Sequence, residues 1–132
     1  MNLDRLTFQI PWPSSALMPN RKHGNHWART QGAKVSAKHD GYYAAKNALG
    51  LNALVPADRV AVRLTFAMPD RRPRDLDNLL HACKPALDGI AKGLGVDDKA
   101  FRPLILTDAI DADKKGFVLI EIQTGEGAWL SN

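Results

Sequence analysis

Cysteine is all but missing. Cys83 stands alone among 132 residues, so the chain has neither an intramolecular disulfide nor a thiolate zinc site. It falls inside the apolar pattern of a helix, where a lone cysteine serves as a small core residue. Long hydrophobic runs are lacking too: none approaches the roughly 20 residues of a membrane-spanning helix, so no membrane partner is expected. The opening Met1-Asn-Leu-Asp-Arg-Leu-Thr-Phe8 places an acid at position 4 and has no apolar signal core, which predicts a cytoplasmic protein. Internal repeats, linkers and low-complexity stretches are absent. The chain therefore reads as one domain over 1–132, large enough to bury a core without staples.

Acids are the scarcer charge, 14 against 18 Lys and Arg, for a net charge of +4 and a pI near 9.4. That balance favours a polyanionic partner only mildly. The distribution says more: residues 21–46 carry Arg21, Lys22, Arg29, Lys34, Lys38 and Lys46 against the single acid Asp40, a local excess of five positive charges. Such a block is either a solvated face or the footprint of phosphate binding.

What is present follows a legible order. Leu6–Ile10 alternates as a half-buried strand does, and Pro11-Trp-Pro13 stops it. Ser14 to Gly32 has no sustained period and reads as a long loop holding Asn20, Arg21, Lys22, His23, Asn25, His26, Trp27 and Arg29. Ser36 to Leu49 turns helical, with Tyr42, Tyr43, Ala45, Ala48 and Leu49 as buried candidates. Arg59 to Met68 is a second strand. The main helix runs from Asp75 to about Lys92 with an apolar face of Leu76, Leu79, Leu80, Cys83, Leu87, Ile90 and Ala91. Gly93 and Gly95 end it, and Pro85 is expected to kink or split it. Phe101–Ile110 and Phe117–Gln123 are two further strands joined by a hairpin turn over Asp111–Gly116, and 124–132 is a weakly structured tail in which Trp129 is the one docking candidate. The order βαβαββ predicts an α+β domain with a small mixed or antiparallel sheet of about four strands and two main helices.

The chemistry concentrates in two acidic motifs. Asp75-Leu76-Asp77-Asn78 opens the main helix, directly after Arg71, Arg72 and Arg74; Asp97-Asp98 lies beyond that helix's end. Converging carboxylates among cations suit Mg²⁺, which takes oxygen ligands and keeps several waters, held against a phosphodiester. Residues two apart on a helix point in different directions, so Asp75 must sit at or before the cap for the pair to converge. A straight helix between the motifs spans about 27 Å, and either a break at Pro85 or a second subunit is needed to join them. A plainer reading is also open: Asp75 as an N-cap, Asp77 favouring the helix dipole, and Asp97-Asp98 a turn. Asp77, His81, Lys84 and Asp88 fall on one face, so Lys84 either contacts a phosphate near the acids or makes an i, i+4 pair with Asp88.

Met68-Pro-Asp-Arg-Arg-Pro-Arg-Asp-Leu-Asp-Asn-Leu79, a helix, then Val96-Asp-Asp98 resembles the RusA family of Holliday junction resolvases. Ile10-Pro-Trp-Pro-Ser-Ser15 is similar to that family's Pro-rich segment after the first strand, so the resemblance covers nearly the whole chain. It implies a small homodimer that binds four-way DNA junctions and nicks two strands symmetrically with Mg²⁺, for which Mn²⁺ substitutes, and with no organic small-molecule cofactor. Its essential aspartates carry over to Asp75, Asp77 and Asp98, the ligands of one or two metal ions that activate water. The family's helix lysine falls on His81 by counting from Asp77, but on Lys84 when Lys84-Pro-Ala-Leu-Asp88 is aligned. Lys84 is favoured because an amine is charged at pH 7 and a histidine mostly is not. Arg71, Arg72, Arg74 and the basic block with Arg21, Lys22, Arg29, Lys34 and Lys38 then track the DNA backbones. The rivals are a non-catalytic DNA-binding protein, a nuclease for flaps or forks, and an interaction protein with no DNA role.

Overall fold

A computed structural model describes residues 1–19 and 27–124. In chain order its elements are β1 (Asn2–Leu3), β2 (Arg5–Pro11), a short 3₁₀ turn (Ser15–Leu17), α1 (Trp27–Leu49), β3 (Ala53–Leu54), β4 (Val60–Met68), α2 (Leu76–Leu94), a second 3₁₀ turn (Asp98–Ala100), β5 (Phe101–Ile110) and β6 (Phe117–Thr124). The architecture is α+β: two main helices, a mixed four-stranded sheet ordered β2-β6-β4-β5, and a two-stranded parallel pair β1-β3. No described helix is long and apolar enough to cross a membrane.

The central strand β4 explains the sheet. Its alternating Val60, Val62, Leu64, Phe66 and Met68 join Leu79, Cys83, Leu87 and Ile90 of α2 and Val118, Ile120 and Ile122 of β6 in one core. β4 and β5 are parallel neighbours, a pairing that needs a crossover, and α2 is that crossover. β6 then enters on the other side of β4, antiparallel to both β4 and β2.

Asp111–Gly116 is therefore not a hairpin turn. β5 and β6 do not pair; the connection passes across the end of β4, where the Asp111 N–H donates to the Met68 carbonyl at 2.8 Å. Asp111 organises this crossing, its carboxylate accepting from the backbone N–H groups of Asp113 (3.0 Å), Lys115 (3.2 Å) and Gly116 (2.9 Å). Those N–H groups, Asp113's first, hold its carboxyl below the ordinary carboxylate range.

Expectations for both helices also change. α1 starts at Trp27, nine residues before the predicted Ser36. Its first turns are largely exposed, so they carry no apolar period for sequence reading to detect. Its expected buried face is narrower as well: Tyr43 is exposed and Ala45 and Leu49 are buried. Pro85 neither splits nor ends α2, which is continuous from Leu76 to Leu94. The carbonyl deprived of its partner belongs to His81, on the helix's exposed side, where water can satisfy it. α1 and α2 meet through glycines. A Cβ at Gly41 would be driven into the Ala86 carbonyl and one at Gly89 into the Lys38 carbonyl, so only a bare backbone allows this approach. The predicted roles of Arg21 and Lys22, and the tail after Thr124 with Trp129, lie outside the described residues.

Candidate active site

β4 ends at Met68 and hands the chain to a turn built around Asp70. Its carboxylate accepts the backbone N–H of Arg72 at 2.9 Å and pairs with Arg74 Nη1 at 2.9 Å and Arg72 Nε at 3.2 Å. Arg74, then Arg72, holds the Asp70 carboxyl far below the usual range. Arg74 also donates to the carbonyls of Asp70 and Arg72 at 3.4 and 3.3 Å and lies over the Trp12 ring, 5.5 Å from its centroid. With only 14% of its side chain exposed, Arg74 serves this turn first. Arg71 and Arg72 remain exposed.

Pro73 favours extended backbone before it, and Asp75 is extended as well (φ −84°, ψ 121°). Asp75 caps α2: its Oδ1 accepts the Asp77 N–H at 2.8 Å. Asp77 occupies the first helical turn, where the dipole favours an anion. Both side chains are exposed, and the extended cap meets the condition for two carboxylates to face one point.

Beyond Asp77 the same face of α2 carries His81, Lys84 and Asp88. The i, i+4 pair between Lys84 and Asp88 does not form; instead Lys38 Nζ reaches Asp88 Oδ2 at 3.0 Å. The glycine contacts bring α1 close enough for that bond, and Lys84 has no partner among the described residues. His81, Lys84 and Asp88 form one wall of a groove of about 980 Å³ whose other wall is α1, with Leu17 and Met18 at its edge. Arg29 and Lys34 are exposed on the first half of α1.

Asp97 and Asp98 lie past the other end of α2, which at 19 residues is about 28 Å long. Asp97 caps the second 3₁₀ turn by accepting the Lys99 N–H at 2.9 Å. That bond, and then the side chain of Asp98, holds the Asp97 carboxyl below its ordinary range. The structure thus places Asp75 and Asp77 at one end of α2 and Asp98 of the same chain past the other. Among the described residues no three His, Cys, Asp or Glu side chains gather as a metal-ligand group.

Asp70 and Trp12 were not among the residues expected to shape the site. Their signals were an acid inside an arginine run and a tryptophan between two prolines, each short of a function until the fold placed them against Arg74.

No protein-family model matches the chain. A Xylella fastidiosa protein of uncharacterized function is 37% identical over 99 residues, 73% of this chain and 63% of that protein. The crossover junction endodeoxyribonuclease RusA of Shigella sonnei is 34% identical over 100 residues, and that of Escherichia coli K12 35%; each match covers 73% of this chain and 76% of the relative.

Proposed function

The chain belongs to the RusA family of crossover junction endodeoxyribonucleases, and from that membership we propose that it is an Mg²⁺-dependent endonuclease that resolves four-way DNA junctions by paired nicks. The observation that carries the reading is the exposed Asp75–Asp77 pair at the mouth of α2. It is presented by an arginine-braced turn and followed on the same helix face by Lys84, which has no partner among the described residues.

The donors suit the metal. Mg²⁺ takes oxygen ligands, keeps several waters and needs only two or three carboxylates. Asp75 has one oxygen committed to the helix cap and one to offer, and Asp77 is exposed. When bound, the metal supplies a Lewis acid that polarises the scissile phosphate and lowers the pKa of water beside it. Lys84 neutralises charge developing on the phosphate. Arg71 and Arg72 seat the flanking backbone, Arg72 exchanging its exposed contact with Asp70 for a phosphate. Arg74, Asp70 and Trp12 hold the turn so that Asp75 keeps its aim.

The third carboxylate, Asp98, comes from a second copy. An unbroken α2 separates it from Asp77 of its own chain, and β5 offers the seam: it is an outer strand of the sheet, with Leu104 and Ile110 exposed. Two copies joined edge to edge across a two-fold axis run β5 antiparallel to its mate. The Phe101 end, preceded by Asp98, then meets the partner's Ile110 end, beside Met68 and the turn that leads to Asp75. A homodimer built this way has two sites, one for each strand cut.

The test is cleavage of a labelled synthetic four-way junction against linear duplex, in Mg²⁺ and in EDTA, with Asp77→Asn as control. Paired nicks on opposite strands that need metal and vanish in the variant support the reading. Tight junction binding with no cutting would leave a DNA-binding protein whose aspartates are caps.

A further inference from the structure

We propose that the groove between α1 and α2 binds an unpaired stretch of DNA strand, with Trp27 as the platform on which one base stacks. The inference rests on the reading of the chain as an enzyme of branched DNA and names the part of the substrate that this groove takes.

Trp27, Gln31, Lys34 and Lys38 stand at i, i+4, i+7 and i+11, one face of α1, and all four line the groove opposite His81 and Lys84. The far end is closed by the 3.0 Å bond between Lys38 and Asp88, which also neutralises the one acid among the described lining residues. Lys34 and Lys84 have no partner among the described residues, so the interior is cationic. At the open end Trp27 is 75% exposed. A large aromatic ring left in water contributes little to the fold, and Trp is enriched at contact surfaces.

Cations beside an exposed aromatic are the chemistry of single-strand recognition: the charges follow the backbone, and the ring accepts any base on its face. At about 980 Å³ the groove has room for a few nucleotides and not for the width of a duplex. Gln31 adds a donor and an acceptor for a base edge. His81 sits one turn from Asp77, so a strand lying in the groove leads to the acidic pair. A base beside the point of strand exchange enters by leaving its pair, at a cost in unstacking and unpairing that is lower where stacking is interrupted than inside a continuous duplex.

The experiment measures binding by the full chain in EDTA, where nothing is cut. The probes are a fluorescein-labelled oligo(dT), a four-way junction carrying 2-aminopurine beside its crossover, and a linear duplex of equal length. Trp27→Ala is expected to weaken oligo(dT) binding about tenfold and to abolish the 2-aminopurine response, with duplex binding unchanged; Trp27→Phe keeps most of both. Thermal melts check that the variants fold, as the exposure of Trp27 predicts. Unchanged oligo(dT) binding in Trp27→Ala, or an equal loss on duplex and oligo(dT), overturns the proposal. A chain that bound through Trp27 and never cut would uphold it while overturning the reading of the chain as a resolvase.

Discussion

Arg74 lies over Trp12, its guanidinium carbon 5.5 Å from the ring centroid, while its Nη1 holds Asp70 at 2.9 Å. This pairing ties the Pro-rich segment after β2 to the turn that aims Asp75. It gives the arginine a positioning role where sequence reading assigned DNA contact. Arg74→Lys keeps the charge but loses the planar fork that stacks and bonds two carbonyls. Cleavage should fall about ten- to a hundredfold, the cost of a slightly misplaced reacting group. The slope of log affinity against log salt should stay the same, whereas Arg71→Ala should reduce it by about 1. Salt titrations of junction binding, run beside cleavage rates, separate the two roles.

Asp75 caps α2 in the structure and holds the metal in the proposed mechanism, and one substitution divides the two roles. Asparagine caps a helix about as well as aspartate, and alanine costs about 1 kcal/mol. Asp75→Asn should therefore unfold in urea like the parent yet lose cleavage by roughly 10²–10³-fold. Asp75→Ala should lose both. If Asp75→Asn still cut normally, the carboxylate would be a cap alone.

On the sheet face away from the helices, Arg63 and Glu121 are paired across β4 and β6 through two bonds of 2.8 Å. Those bonds hold the Glu121 carboxyl below its ordinary value of 4.5. A depressed folded pKa gives stability that is fully present above the unfolded value and lost as pH falls through the folded one. Urea melts should show this contribution, about 1 kcal/mol for a partly exposed cross-strand pair, intact at pH 7 and fading below about pH 4.5. Glu121→Gln should flatten that acid limb. An identical pH profile in the variant would remove the pair from the account.

Much of this fold could be read from the sequence, because burial imposed clean periods. Val60 to Phe66 alternates since one face meets α2, and Leu79 to Ile90 keeps a helical stripe since it meets the sheet. The first turns of α1 escaped because Trp27, Lys34 and Val35 are exposed and leave no buried stripe. The β5–β6 connection misled because adjacency in sequence does not decide pairing once a crossover helix makes β5 parallel to β4. The two-residue strands β1 and β3 are too short for any period. At the site, the DLD motif and its helix were legible, and so was the gulf between Asp77 and Asp98. The Lys38–Asp88 bond was not, since it depends on how closely Gly41 and Gly89 let two backbones approach.

In the proposed mechanism a metal-dependent site joins Asp75 and Asp77 of one copy to Asp98 of another. Mixing two inactive proteins, Asp77→Asn and Asp98→Asn, would rebuild such a site. If the site is shared, a mixed dimer contains one site with every carboxylate intact, so the mixture should nick a four-way junction in Mg²⁺, on one strand per event, while each protein alone does nothing. If the mixture stays as inactive as its components although size-exclusion and labelled-subunit exchange show mixed dimers, the site is not built across two copies.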